Sequence, residues 1–197
     1  VLNIITPCVR KYNLEKIAAS ICPSNVAVTW LIIFDQELLL TEDVALKPHL
    51  ENLCKHSIKF LATKSSESVS GNAQRNHGLN QLTKNGYVYF VDDDNLIHPN
   101  FWNYTHLLDG THGIIGHQLL ADGQLRKAAG FHVCPNKIDI AQCCFPMKLV
   151  GKNRWIEKKY NADGLFASHI HHLNTNKFII IDDVIAYYNR LSPIWPQ

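Results

Sequence analysis

Tyr87-Val88-Tyr89-Phe90-Val91-Asp92-Asp93-Asp94-Asn95 is the stretch on which the reading of this chain turns. Five β-forming residues without a charge run straight into three carboxylates and an asparagine. The first half predicts a strand covered on both faces, as in the middle of an α/β sheet. Unpaired aspartates cannot share that interior, so they belong just past the carboxyl end of the strand, where open α/β sheets bind ligands. Three crowded carboxylates repel one another, and oxygen-only donors suit a hard divalent cation such as Mg²⁺ or Mn²⁺. The simpler alternative is a solvated acidic turn. The uncharged strand before the acids and the Pro-started helix after them favour a metal-bridged diphosphate site, with the outer acids facing cation and ribose.

The elements upstream fit such a sheet. Leu2 to Thr6 reads as a strand stopped by Pro7, and Asn13 as the N-cap of a helix with Leu14, Ile17, Ala18 and Ile21 on its apolar face. Val26 to Phe34 is the next strand, with Asp35 at its carboxyl end, which completes a βαβ unit and implies a parallel pair. Asp43 to Cys54 is helical with Pro48 as a flaw, Ser57 to Ala62 a strand, and Thr63 to Ser70 a polar loop. Asn72 to Lys84 is a helix with Ala73, Leu79 and Leu82 inward. Pro99 opens a helix carrying Phe101, Trp102, Thr105 and Leu108.

After His112 the alternation stops. Gly113 to Leu120, Asp122-Gly123 and Gln124 to Val133 predict a hairpin. Ile138 to Phe145 is a further strand, Asn161 to His172 a helix, and Lys177 to Ala186 a closing strand. The expected architecture is one α/β domain over 1–197, with a mixed central sheet flanked by helices. Residues 1–108 would form a nucleotide-binding half and 109–197 an acceptor half.

At 197 residues the chain supports one sizeable core. A formal charge of +2 without a Lys/Arg run argues against nucleic acid as partner. No apolar run reaches the roughly 18 residues of a membrane helix. No signal peptide is visible, although the chain does not start with Met. Six cysteines without a CxxC pair fit neither a zinc ribbon nor a disulfide framework. Vicinal Cys143-Cys144 read as small buried hydrophobes, and a reduced, cytoplasmic setting is expected.

In order along the chain stand Ile4-Ile5-Thr6-Pro7 with Arg10, Asp35 at the end of a strand, Gln74-Arg75-Asn76, and Tyr89 to Asn95 with its DXD pattern. Together they resemble the nucleotide-sugar-dependent glycosyltransferases of the GT-A (Rossmann-like) fold, nearest the inverting family 2 and the glucuronosyltransferases, in the manner of a compact virus-encoded domain. The resemblance covers Val1 to about Leu108. It implies a UDP-sugar donor, Mn²⁺ or Mg²⁺, and a glycan or glycoprotein acceptor. Thr6, Pro7 and Arg10 would line the nucleotide pocket, Asp35 accept from the uracil N–H, and Arg75 reach uracil or phosphates. Asp93 would meet the ribose, and Asp94 with Asp92 the metal. Trp155 to Leu165 resembles the segment that carries the family 2 catalytic carboxylate. Asp163 is the implied base, taking the acceptor hydroxyl proton, with Glu157 in reserve and a helix cap as the alternative use of Asp163.

Trp155 and Tyr160 could stack on a sugar, with core packing the simpler role for Trp155. Gly116-His117-Gln118 is expected to follow a strand and touch the donor. Among His117, His132, His169, His171 and His172, the pair His169 and His172 shares a helical face and offers a late metal ligand. A nucleotidyltransferase, or a binding module without catalysis, remains the competing reading. The former would carry a Gly-rich basic loop after the first strand, where this chain has Thr6-Pro7-Cys8.

Overall fold

A computed structural model describes residues 1–21, 26–35, 45–63, 68, 70–128 and 133–192. Its strands are β1 (Leu2–Cys8), β2 (Val28–Asp35), β3 (Ser57–Thr63), β4 (Tyr87–Phe90), β5 (Leu96–Ile97), β6 (Gly113–Leu120), β7 (Leu125–Arg126), β8 (Cys143–Pro146) and β9 (Phe178–Tyr188). The α-helices are α1 (Leu14–Ile21), α2 (Leu46–Cys54), α3 (Asn72–Asn80), the single turn α4 (Met147–Val150) and α5 (Ala162–Leu173). All strands join one sheet in the order β3-β2-β1-β4-β8-β6-β9-β5, with β7 paired to β6. Strands β3, β2, β1 and β4 are parallel, β8 runs against β4 and β6, and β9 is parallel to β6. This is the mixed sheet expected from the sequence.

The central strand shows why an uncharged run was needed. Tyr87 and Tyr89 point into the core under α1 and α2, whereas Val88 and Phe90 point into the core under α3 and α5. Alternation of side chains along a strand makes both faces apolar only if every residue is. Tyr89 stacks on Phe101 (4.6 Å between centroids) and donates its hydroxyl to Ala141 O. Phe90 meets Trp155 edge-on, and Trp155 stacks on Phe166 at 3.6 Å. Truncating an aromatic in such a cluster costs about 3–5 kcal/mol.

Several expected boundaries shift, each for a local reason. Pro7 does not stop β1, which continues to Cys8 against β2. Leu2 N–H faces β2, donating to Ala27 O, while the Ile5 carbonyl faces β4 and accepts from Val91 N–H. Pro7 has the parity of Ile5, so its missing N–H falls on the β4 side, past the last paired residue there. Pro48 sits in the first turn of α2, where its absent donor has no helical partner to lose; Asp43 lies outside the described residues. Asn13 is not a cap: its amide donates to Asp93 O at 2.8 Å. Helix α3 ends at Asn80 rather than Lys84, and Gly86, at φ 84°, turns the chain into β4.

Ile138 to Gln142 is not strand. Asp139 accepts from Ala141 N–H while the Gln142 side chain accepts from Asp139 N–H, a reciprocal cap that fixes a 3-10 turn before β8. The hairpin after β6 forms with Gly123 at φ 83°, but its return strand is only β7; residues 129–132 lie outside the described ones. Vicinal Cys143 and Cys144 are buried and free.

The segment after Pro99 is a long 3-10 helix, Pro99–Leu107, capped by His98, whose Nδ1 accepts from Asn100 N–H at 3.2 Å. Burial lowers the His98 pKa from 6.5, against the pull of Asp183. The unfolded chain therefore takes the proton first, so this contribution to stability is complete above about pH 6.5 and is lost as pH falls through the folded value. His56 and His171 are lowered by burial in the same sense. Thermal melts at pH 7.5 and 5.5 should show the loss, and His98→Asn, which keeps an acceptor that does not titrate, should reduce the dependence of stability on pH.

Helix α5 is locked at its start. A Cβ on Gly164 would lie 1.7 Å from Pro135 O, inside its van der Waals shell. Gly164→Ala must push the 133–137 loop off α5, and should cost about 1–3 kcal/mol in a denaturant titration.

Candidate functional site

Strand order reverses between β1 and β4, and the carboxyl ends of these strands open into a cleft of about 870 Å³. That is the topological switch point at which open α/β sheets bind ligands. Pro7 and Arg10 after β1, Asp35 after β2, Asp92–Asp94 after β4, Gly71 and Arg75 of the α3 start, and Asp163 of α5 all line it. The second half contributes Arg126, Asp139, Tyr160, Tyr188 and Ser192.

The three aspartates have three different environments. Asp93 is buried, and its Oδ2 accepts from the backbone N–H groups of Val9 (2.6 Å) and Arg10 (2.7 Å) while Oδ1 takes the Arg10 guanidinium at 2.5 Å. Both oxygens of Asp93, the residue expected to meet a ribose, tie the β4 end to the β1 loop. Asp94 Oδ2 accepts from Arg10 (3.0 Å) and from the Ser192 hydroxyl (3.0 Å); Oδ1 takes neither contact. Asp92 pairs through Oδ1 with Arg75 Nη2 at 2.5 Å. Burial pushes the Asp92 carboxyl up to about 7; Arg75 opposes this, and the charges of Asp163, Asp139 and Asp94 add to it.

Arg75 is buried on the cleft floor. Its Nη1 donates to Ser70 O (2.7 Å) and Asn72 Oδ1 (3.1 Å), and lies 3.4 Å from Asp163 Oδ1. Burial alone would weaken this cation, but Asp92 and Asp163 outweigh it and hold its pKa above the ordinary value. Arg75, expected to reach base or phosphate, clamps two acids together on the cleft floor. Its helix buries a polar face beside the expected Leu79: Asn72, Gln74, Arg75 and Asn76 face inward, Ala73 is only half-buried, and Leu82, past the helix end, packs on the core. Asn76 exchanges bonds with both backbone groups of Trp155, and Asn72 donates to Lys159 O at 3.0 Å. Helix α3 thus holds the segment that leads into α5.

Asp163 lies in the first turn of α5 and does not cap it. Its Oδ1 accepts from Trp155 Nε1 at 2.8 Å, and the helix N-terminus favours a carboxylate there. The reserve acid Glu157 points elsewhere, to Asn76 Nδ2 at 3.2 Å, and does not line the cleft. Trp155 belongs to the core, whereas Tyr160 is exposed at the rim.

Other expectations change. Thr6 is fully buried beneath the cleft and accepts from Trp30 Nε1 at 2.9 Å, so it is not a pocket residue. His117 lies inside β6, not after it, with Nε2 2.8 Å from Asp182 and Nδ1 accepting from Ala128 N–H. His169 and His172 are exposed on α5, beyond the cleft lining, and His132 lies outside the described residues. Asp139, Arg126, Tyr188 and Ser192 were missed. Each sits in a turn or strand end of the second half, where the sequence pattern carries no spacing signal.

Among the described residues, no three His, Cys, Asp or Glu side chains converge as a metal cage. Asp92 and Asp94 both line the cleft and are oxygen donors of the kind a hard cation uses when one or two carboxylates share it with phosphate oxygens and water. No helix among the described residues is long and apolar enough to cross a membrane.

No family model and no curated protein sequence match the chain. Solved structures do. S. aureus TarS 1–349 superposes with a TM-score of 0.68 at 18% identity, over 94% of this chain and 59% of that one. The glycosyltransferase GlyE of Streptococcus pneumoniae TIGR4 gives 0.52 at 12% identity, over 92% of this chain and 45% of that one. The inositol-1-phosphate CTP transferase of T. maritima gives 0.52 at 10% identity, over 94% and 87%. This chain thus spans well under two thirds of the first two structures. It has the GT-A fold of the nucleotide-diphospho-sugar transferases, the fold its sequence motifs resemble.

Proposed function

We propose that the chain is an inverting, metal-dependent glycosyltransferase domain that moves a sugar from a UDP-sugar to a hydroxyl of a glycan or glycoprotein acceptor. One observation carries the reading: a single buried guanidinium, that of Arg75, joins the diphosphate-side Asp92 (2.5 Å) to the acceptor-side Asp163 (3.4 Å). Transfer with inversion needs a leaving-group site and a base held at fixed separation, and a clamp between them supplies that fixed geometry.

Asp92 and Asp94 Oδ1 would hold Mn²⁺ or Mg²⁺, which when bound offsets the charge of the departing diphosphate. Arg10, a third exposed and seated at the same turn, adds positive charge on the donor side. Asp35, which ends β2 and lines the cleft, would accept from a uracil N–H. Asp163, oriented through Oδ1 by Trp155, takes the acceptor proton on Oδ2 as the oxygen attacks the anomeric carbon. No second protein acid is required, since the leaving group departs as a diphosphate rather than as an alcohol.

The likeness to a CTP transferase favours a second reading, nucleotidyl transfer to a sugar phosphate. Against it, Pro7-Cys8 stands where a Gly-rich basic loop would cradle a triphosphate. Incubation with a UDP-sugar panel and Mn²⁺ separates the readings. UDP release, accelerated by glycan acceptors, is expected. Pyrophosphate exchange from UTP and a sugar phosphate, or saturable binding without turnover, would overturn the proposal.

A further inference from the structure

The acceptor-half wall of the cleft contains a polar network that neither the nucleotide nor the proton transfer uses. Arg126 Nη1 donates to Gln118 Oε1 at 2.9 Å, and Gln118 Nε2 donates to Asp139 Oδ1 at 3.0 Å. Arg126 Nη1 also stands 3.5 Å from Asp139 Oδ2, and its guanidinium lies over the Tyr188 ring, 4.5 Å from the centroid. Gln142 Nε2 fixes the strand beneath by donating to the carbonyls of Gly116 and Arg126. Four separate elements, β6, β7, the 3-10 turn before β8 and the end of β9, converge on this one wall.

The hydrogen-bond inventory within it is unequal. Asp139 Oδ1 accepts from Gln118 and from Ala141 N–H, and the side chain also takes Gln142 N–H in the cap of its turn, whereas the Oδ2 contact with Arg126, at 3.5 Å, is long. Burial and the nearby Asp163 charge both disfavour the ionised Asp139, so a further donor on Oδ2 would be stabilising. An acceptor oxygen beside a guanidinium, in a rigid frame, presents the complement of two neighbouring hydroxyls, each of which can donate to one group and accept from the other. Asp139, Arg126 and Tyr188 line the same cleft as Asp92 and Asp163, so the wall flanks the place where sugar would pass from donor to acceptor.

We propose that Asp139 and Arg126, backed by Gln118 and Tyr188, form a sugar subsite that reads a vicinal diol of the transferred, uncharged hexose. This rests on the glycosyltransferase reading and specifies its substrate. A site built to bond a hydroxyl discriminates strongly against a ligand lacking it, because its own polar groups are left unpaired.

The test compares UDP with UDP-glucose, UDP-galactose and UDP-N-acetylglucosamine by calorimetry with Mn²⁺ present. At least one UDP-sugar should bind about tenfold or more tightly than UDP. Asp139→Asn, which keeps the turn cap, and Arg126→Met, which keeps the packing on Tyr188, should each bring the ratio of UDP-sugar to UDP affinity down to about one while UDP still binds. Should Asp139→Asn fail to fold, Arg126→Met decides. Wild-type preference for a UDP-sugar that survives in a folded variant overturns the subsite, as does UDP binding with no preference for any sugar. Absence of UDP binding by the wild type would instead overturn the glycosyltransferase reading itself, and the subsite with it.

Discussion

Asp163→Asn is expected to bind UDP as the wild type does and to transfer sugar about 10²–10⁴ times more slowly, the usual worth of a positioned general base. The substitution is close to isosteric, and its side-chain oxygen can still accept from Trp155 Nε1, so α5 and the aromatic cluster of Trp155, Phe166 and Phe90 keep their packing. What is lost is the basic oxygen. The ratio of the two effects is the informative quantity: transfer measured at saturating donor should fall, while the UDP dissociation constant should stay within about twofold. A variant that transfers at the wild-type rate would place the base elsewhere, and Glu157, held off the cleft by Asn76, would not replace it.

Arg75→Met should be the most destabilising single change at the site. The guanidinium is buried against Asp92 and Asp163, so removing it leaves two carboxylates facing each other across the cleft floor without their shared counter-charge. Breaking a buried pair from one side costs about 3–5 kcal/mol, which for a domain of this size lowers the melting temperature by roughly 6–20 °C. Loss of packing is a poor explanation of such a shift, since Met fills most of the same volume. Charge is the sharper test: Mn²⁺ should restore part of the loss in Arg75→Met, because a cation on Asp92 supplies what the arginine did. An unshifted melting curve would show that the clamp contributes little.

The first half of the fold was legible because a helical periodicity and a compositional step coincide there. Uncharged strands alternate with Leu14, Ile17, Ala18 and Ile21 at helical spacing, and Arg10, Asp35 and Asp92 follow or end β1, β2 and β4 at the cleft. The sequence could not reveal how those charges pair. Asp93 and Asp94 differ by one position, yet one is spent on the Val9–Arg10 loop and the other keeps an oxygen clear of it, a distinction set by where β1 ends. Nothing in the local pattern showed that α3 buries the polar side that carries Arg75. The second half was harder. Asp139 reads as part of a strand, since its role comes from a cap made with Gln142, three residues away, and Arg126 sits in a strand of only two residues. Ser192 reaches Asp94 only because Asn189 and Leu191 dock on the acidic turn, through Asn95 Oδ1 and Asp94 O. Contacts of such sequence separation leave no trace in local pattern.

The central claim is that Asp92 and Asp94 bind a cation that the diphosphate completes. Calorimetric titration of UDP into wild type and Asp94→Ala, with and without Mn²⁺, addresses it most directly. The backbone bond from Leu191 N–H to Asp94 O survives the substitution, so the turn should remain folded by circular dichroism. Mn²⁺ should raise wild-type affinity for UDP at least about tenfold and do nothing for Asp94→Ala. Equal UDP affinity in all four titrations would contradict the account.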